Sequence, residues 1–250
     1  MTSWIRRRLE AIEWTSERTF ILEGVGFALE DFGDPYEGDG WRMMKPRAYL
    51  DAYARGLEDL QVRNMMELGV RLGGSTVFLA LLLQPEKLLA IDVSGPVREL
   101  EAFRSADPRG GRITTAYRTS QDDEAALAAL LGRQSSGPLD LVVDDASHFY
   151  EETRAAFEIL FPRLRPGGVY AIEDWQWAHT PGIRIWREKT ALSNLVFQLM
   201  MVCAGRPDLV ASVEVHPGVA FVRRGTAEPS AERLDVESLC WTQGRPFTLL

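Results

Sequence analysis

Two short apolar runs that both end in carboxylates constrain this chain more than anything else in it: Leu139-Asp-Leu-Val-Val-Asp-Asp-Ala-Ser-His148 and Gly168-Val-Tyr-Ala-Ile-Glu-Asp174. Runs of this length, rich in Val, Ile and Tyr and bounded by turn signals, suit strands covered on both faces of a parallel sheet. In open α/β sheets ligands bind outside the carboxyl ends of the strands, which is where both acidic clusters fall. Adjacent strands lie about 4.8 Å apart. If these two are neighbours, Asp145, Glu173 and Asp174 converge on one point. Three carboxylates without local bases to neutralise them call for a cation, and all-oxygen ligation suits a hard divalent ion such as magnesium. His148 follows Asp145 by three residues, a spacing that puts both on one side of a helical first turn.

Composition narrows the partners. The chain has 250 residues, 46% of them hydrophobic, enough for a large domain with a real core. A formal net charge of -8 argues against a nucleic-acid binder, whose footprint is usually a basic face. Cys203 and Cys240 are the only cysteines, so there is no disulfide framework and no zinc spacing, which fits a reducing compartment. The N-terminal Met-Thr-Ser-Trp-Ile-Arg-Arg-Arg has no apolar stretch behind it and does not read as a secretory signal. The longest apolar run, Val77 to Leu83, stops at Gln84-Pro85 and is too short to span a bilayer. The expectation is a soluble, cytoplasmic protein that engages neither nucleic acid nor membrane.

Taken in order, residues 1–30 place Trp4, Ile5, Leu9, Ile12 and then Phe20 to Leu22 at helical spacing, which predicts one or two helices ahead of the main sheet. Such an extension would cover a site or build a contact in a homo-oligomer. A turn-rich loop follows, and then a helix from about Pro46 to Leu60 with Tyr49, Leu50, Tyr53, Leu57 and Leu60 on one stripe. Asn64 to Ser75 reads as a strand and a glycine loop, with a helix over Thr76 to Leu83. Glu67 precedes Gly69, Gly73 and Gly74, a spacing that is not the G-x-G-x-x-G of dinucleotide binders. The glycines allow a tight turn and close approach of the backbone to a ligand. The next strand, Leu88 to Asp92, ends in an acid placed to accept the hydroxyls of a ribose. Weaker signals give a strand at Ile113 to Tyr117, a polar loop through Gln121 and Asp123, and a helix to Leu131. Glu151 to Leu164 reads as a helix with Ser147 as its candidate N-cap. An aromatic loop, Trp175-Gln-Trp-Ala-His179, follows the second acidic strand. A long apolar helix covers Leu192 to Cys203, and Pro217-Gly218 joins two strands of a hairpin.

This order of parts resembles the class I S-adenosylmethionine-dependent methyltransferases over roughly residues 45–224. The pairing of Asp-Asp-Ala-Ser-His148 with Ile-Glu-Asp174 is similar to that of the metal-dependent sugar O-methyltransferases of macrolide biosynthesis, and more distantly to the cephalosporin-hydroxylase-like group. The resemblance implies a doubly wound α/β fold, a mostly parallel seven-stranded sheet with a reversed last strand. It divides the chain into an N-terminal helical extension over 1–44, a methyltransferase domain over 45–225 and a tail over 226–250 packed on it. It implies S-adenosylmethionine held by Glu67, Gly69, Gly73, Ser75, Asp92, Gln121, Asp123 and Asp144. It further implies magnesium held by Asp145, Glu173 and Asp174, and a histidine base at His148. Gln121 and Asp123 match part of the family's Gly-Asp-Gln-x-Asp loop, with Thr119 and Ser120 in place of its first two residues. Trp175, Trp177 and His179, directly after the acidic strand end, are candidates for a substrate wall, since aromatic faces suit sugars and flat aglycones.

The function that follows is methyl transfer to a sugar hydroxyl of a glycosylated natural product, with magnesium fixing the sugar and His148 taking the hydroxyl proton. Two other classes stay open: methylation of an amine, catechol or carboxylate, and a fold relative that does not methylate. Plainer readings stand beside the functional ones. Asp144 and Asp145 are also suited to cap the following helix, Glu173 and Asp174 to be a solvated strand end, and the glycines to serve packing alone. His148 and His179 taken singly would be structural or exposed, and the Trp175, Trp177 and Trp186 group would be core.

Overall fold

A computed structural model of the chain describes residues 3–30, 34, 36–134, 137–182, 184–228, 233–240, 245 and 248–249. It divides into two compact units, residues 1–118 and 119–250. Neither of the boundaries suggested by the resemblance, near 44 and near 225, separates them.

The first unit opens with helix α1 (Trp4–Glu10), capped by the Ser3 hydroxyl, which accepts the N–H of Arg6. The chain then turns to strands. β1 (Glu13–Trp14), β2 (Thr19–Leu22), β3 (Val25–Leu29) and β4 (Trp41–Met43) form a four-stranded sheet in that order, with β3 and β4 parallel. The helix expected over Phe20 to Leu22 is therefore a strand. Thr19 to Leu22 alternate half-buried and buried side chains with period two. Leu22 pairs with Val25 across Glu23 and Gly24, both at positive φ, which is the geometry of a two-residue hairpin.

Helix α2 (Arg47–Gly56) buries Tyr49, Leu50 and Tyr53, as its stripe predicts. β5 (Asn64–Leu68), α3 (Gly74–Leu83), β6 (Lys87–Asp92), α4 (Arg98–Ala106) and β7 (Ile113–Tyr117) follow, and β5, β6 and β7 pair in parallel. The small sheet is anchored on α3: Phe20 and Phe27 stack at 5.2 Å and both meet Phe78 edge-on, at 5.8 and 5.7 Å. Arg8 of α1 donates to the carbonyls of Leu81 and Leu82 at the end of α3, supplying partners that a helix C-terminus lacks.

The second unit contains α5 (Glu124–Gln134), β8 (Leu139–Asp144), α6 (Tyr150–Leu160), β9 (Leu164–Glu173), α7 (Ser193–Gly205), β10 (Val210–His216), β11 (Val219–Arg224) and α8 (Val236–Leu239). β8 and β9 are parallel neighbours, with Asp144 opposite Ile172. β11 runs antiparallel to both β9 and β10, so the reversed last strand of the expected fold is present. The β8–β9 register slips between Leu139 and Leu141, beside Arg165-Pro-Gly-Gly168, where a Cβ at Gly168 would lie 2.9 Å from the Arg165 carbonyl. Helix α6 starts at Tyr150, one residue before the expected Glu151, with Phe149 as its N-cap residue, and ends at Leu160. Ser147 does not cap it; the Ser147 hydroxyl accepts the Phe149 N–H at 3.2 Å, inside the preceding loop. The polar tail is fastened to this unit. Arg233 spans Glu124 at 2.9 Å and Glu158 at 3.0 Å, and the Glu158 carboxylate also accepts the Val236 N–H.

The strand order of the main sheet is β10-β11-β9-β8-β5-β6-β7, a seven-stranded, mostly parallel sheet. No helix among the described residues is long and apolar enough to cross a membrane.

Candidate active site

Strand β8 delivers its last buried residue, Asp144, and then breaks into a short loop, Asp145 to Phe149, before α6. Strand β9 ends at Glu173 and turns sharply at Asp174. Because the two strands are neighbours in parallel, both turns sit at the same sheet edge. There Asp145, His148 and Asp174 offer ligand atoms that all lie within 4.8 Å of one another. His148 Nε2 is 3.9 Å from Asp145 Oδ1 and 3.9 Å from Asp174 Oδ2, so the imidazole stands between the two carboxylates.

The sequence expectation for His148 is corrected in its geometry. His148 is not in a helical turn with Asp145; it has φ 58, and Asp174 has φ 56. Side chains other than glycine seldom adopt this left-handed region, and such strain collects at functional sites. Asp174 is held there by its own N–H, which donates to the Gly218 carbonyl at the tip of the β10–β11 hairpin at 2.6 Å. Glu173, the third expected ligand, lies outside the group. It is 1% exposed and its backbone pairs with Val219 of β11. Asp174 lies past the end of β9 in a left-handed bend, so its side chain leaves the line of the strand and the two consecutive acids part company.

Behind the loop is a buried polar network. The Tyr170 hydroxyl donates to Asp144 Oδ2 at 2.7 Å, and the Gln121 amide nitrogen lies 3.2 Å from Asp144 Oδ1 and 3.4 Å from the Thr153 hydroxyl. The Gln121 carbonyl accepts the Ser147 N–H at 2.9 Å. Burial pushes the Asp144 carboxyl up to about 7, against the Tyr170 hydrogen bond, which favours the ionised form. Asp144 and Gln121 are thus spoken for by the chain itself. Asp123 accepts the Ala126 N–H at 3.0 Å, in the manner of a helix cap at the start of α5. Tyr170 and Thr153 were not legible as site residues, since nothing in a strand or helix pattern marks which polar side chain meets a buried acid.

The aromatic side is built by the segment after β9. The Trp177 ring lies 4.6 Å from that of His148, tilted at 52°, and Trp186 meets both Trp177 and Phe149. Trp175 is a strut: its indole N–H donates to the His216 carbonyl at 3.0 Å. His179 Nε2 is 2.7 Å from the Ser193 hydroxyl and ties the segment to α7.

In the first unit the glycine loop links β5 to α3. Gly69 and Gly73 have φ of 94 and 83, so both need glycine for the turn. Gly74 is required for another reason: a Cβ there would lie 2.0 Å from the Arg42 carbonyl of β4. The close backbone approach expected for a ligand is, at Gly74, an approach to the small sheet. Ser75 is half-buried in the first turn of α3. Fully buried Glu67 accepts the Thr76 hydroxyl at 2.5 Å. Asp92 accepts backbone N–H groups from Val70 and Arg71 at 2.8 Å and from Ser94 at 2.7 Å. Burial opposes its charge, but the N–H donors of Arg71, Ser94 and Val70 outweigh it and hold the carboxyl below the usual range.

Residues 66–175 match the family model described as a methyltransferase domain. This segment is similar to a methyltransferase domain. It takes in the glycine loop, Asp92, the Gln121 network and all three residues of the carboxylate–histidine group. Demethylmacrocin O-methyltransferase of Streptomyces fradiae is 48% identical over 131 residues, covering 46% of this chain and 32% of that protein. The 8-demethyl-8-alpha-L-rhamnosyl tetracenomycin-C 2'-O-methyltransferase of Streptomyces olivaceus is 34% identical over 119 residues, covering 42% of this chain and 31% of that one. Among solved structures, the MycE methyltransferase of the mycinamycin biosynthetic pathway, in complex with Mg, SAH and mycinamycin VI, has TM-score 0.54 at 27% identity. That match covers 71% of this chain and 49% of MycE. The chain therefore spans about a third of the length of these two curated relatives and about half of MycE, whose fold it resembles.

Proposed function

We propose that this chain is an S-adenosylmethionine- and Mg2+-dependent O-methyltransferase that acts on a sugar hydroxyl of a glycosylated natural product. The observation that carries the reading is the convergence of Asp145, His148 and Asp174 at the ends of two adjacent parallel strands. The names of the relatives support the substrate class, and the ligands in the MycE complex support the cofactors.

The donor set fits the ion. Two carboxylates with room for further oxygens are what magnesium takes from proteins, the remaining positions going to water and substrate. When bound, such an ion fixes neighbouring hydroxyls and lowers the pKa of the one that reacts. A hard ion favours oxygen over imidazole, which leaves His148 for the proton. Its Nε2 sits beside both carboxylates, and a positioned general base contributes about 10²–10⁴-fold to rate. The methyl donor is assigned to the glycine loop, with Glu67, Gly69, Gly73 and Ser75 forming and supporting its turn. Asp92 accepts three backbone N–H groups and a hydrogen bond from the Ser94 side chain, and its place at the carboxyl end of β6, beside the glycine loop, supports assigning it to the ribose. Gln121, Asp123 and Asp144 enter this reading as scaffold for the loop that carries Asp145 and His148. Trp177 is the wall against which the sugar lies. The reading includes a cytoplasmic, homo-oligomeric enzyme, the latter checked by size-exclusion chromatography.

The test is incubation of the chain with S-adenosylmethionine and either demethylmacrocin or mycinamicin VI, followed by mass spectrometry for one added methyl group. EDTA should abolish transfer and Mg2+ should restore it. His148→Ala should cut turnover at least about 100-fold while calorimetric binding of the methyl donor is retained. Transfer that is indifferent to chelation, or near-normal turnover without His148, overturns the reading.

A further inference from the structure

Glu30, the residue after β3, carries a carboxylate into the interior of the first unit and is only 4% exposed. Three groups meet it. The Tyr36 N–H donates to Oε1 at 3.1 Å. Arg42 of β4 brings a guanidinium nitrogen to 3.6 Å from Oε1, and Arg71 brings one to 3.9 Å from Oε2. The backbone of Glu30 is fixed as well, since its N–H donates to the Met43 carbonyl of β4 at 2.8 Å. A buried carboxylate needs charged or hydrogen-bonding partners, and away from water its pull on them is screened less.

Arg71 links this carboxylate to the glycine loop. It lies between Gly69 and Gly73, and its φ is 49. A residue with a Cβ keeps such a left-handed backbone where its surroundings over-determine it. Two carboxylates do so here, one at the backbone of Arg71 and one at the tip of its side chain. Asp92 accepts the Arg71 N–H at 2.8 Å, and Glu30 faces the guanidinium. The small sheet therefore meets the loop twice: through this pair, and through the Arg42 carbonyl that forbids a Cβ at Gly74.

We propose that Glu30 is a positioning residue for the methyl donor: through the Arg71 guanidinium it holds the glycine loop in the turn that receives the donor. The N-terminal sheet thereby sets donor affinity, a part that neither a cover over the site nor an oligomer contact would play. This rests on the O-methyltransferase reading above and adds to it the group that fixes the shape of the loop.

The experiment is calorimetric titration of the full chain with S-adenosylhomocysteine, for wild type, Glu30→Gln, Arg71→Met and the double variant. Glu30→Gln keeps the outline of the side chain and an acceptor for the Tyr36 N–H, and removes the charge. Kd should rise about three- to tenfold in each single variant, and the double variant should bind no more weakly than the weaker single, because residues that act through one another do not add. In steady-state kinetics the KM for S-adenosylmethionine should rise with that Kd while kcat at saturating donor changes little, a split that a general loss of stability does not produce. An unchanged or tighter Kd in Glu30→Gln overturns the inference alone and leaves Glu30 to the fold. Additive losses in the double variant also overturn it, since the two residues then act separately. Should Glu30→Gln fail to fold, Arg71→Met decides, its side chain being 55% exposed: an unchanged Kd overturns the inference, and a raised Kd at an unaltered unfolding midpoint supports it. A wild type that binds no S-adenosylhomocysteine overturns this inference together with the reading beneath it.

Discussion

The side-chain carbonyl of Gln121 lies 2.9 Å from the backbone N–H of Ser147, while its amide nitrogen faces Asp144. One glutamine thus holds the strand end on one side of Asp145 and the loop residue next to His148. Gln121→Ala would leave the Ser147 N–H unpaired and remove two contacts from the buried Asp144. The expected cost is about 1–3 kcal/mol of stability, read from urea denaturation. Turnover should fall further than affinity for the methyl donor, because the loop that carries His148 loses its brace. Unaltered stability and turnover would show that the brace is not used.

Gly74→Ala tests the seating of the glycine loop on β4. The new methyl would meet the Arg42 carbonyl at 2.0 Å, and two backbones, not a flexible side chain, have to part. Overpacking of this kind costs about 1–3 kcal/mol. Gly95→Ala, where a Cβ meets nothing within 4 Å, is the control and should stay within about 0.5 kcal/mol of wild type. Equal denaturation midpoints for the two variants would remove the packing role assigned to Gly74.

Asp92 should make the fold acid-sensitive. Its folded pKa is depressed below 3.8, because backbone N–H donors outweigh burial. A depressed carboxylate contributes stability that is fully present above the unfolded pKa and is lost as pH falls through the folded one. Asp92→Asn should therefore be less stable than wild type at neutral pH, by about 1.5–3 kcal/mol for hydrogen bonds to a charged group. The gap should close as both proteins are titrated into the range below 3.8. A gap that does not change with pH would mean that the charge of Asp92 contributes nothing.

Asp174→Ala addresses the ion directly. Residues that merely support metal ligands are worth about 10–100-fold in affinity, and a direct ligand should be worth at least as much. Mn2+ titration followed by electron paramagnetic resonance gives the affinity without any substrate. Wild-type affinity in this variant would take Asp174 out of the coordination sphere.

What could be read from the residues alone divides along physical lines. Buried strands announce themselves, because a run covered on both faces has to be apolar throughout. Leu139 to Asp144 is buried throughout and appears where the pattern puts it, while Ile113 to Tyr117, only partly buried, and the hairpin around Pro217-Gly218 appear where a weaker signal and a turn signal put them. The neighbouring of β8 and β9, on which the site depends, is also found. The small sheet was hidden. Its longest strand has five residues, and β4 joins β3 only after the chain has returned from a loop, a pairing no local period records. The site was legible in kind but not in detail. Which of two consecutive acids turns towards Asp145 depends on the sharp backbone bend at Asp174. The left-handed His148 depends on a loop that Gln121 braces from 26 positions away.

The bond from Asp174 to Gly218 has a consequence for how such a sequence can drift. Surface turns usually accept extra residues freely, since they lie far from anything that must be placed with care. The turn between β10 and β11 is different, for one of its carbonyls is the rest on which a candidate metal ligand leans. An insertion there would be felt as a misplaced carboxylate before it was felt as a weaker fold, so the length of this turn should be among the least negotiable features of the chain.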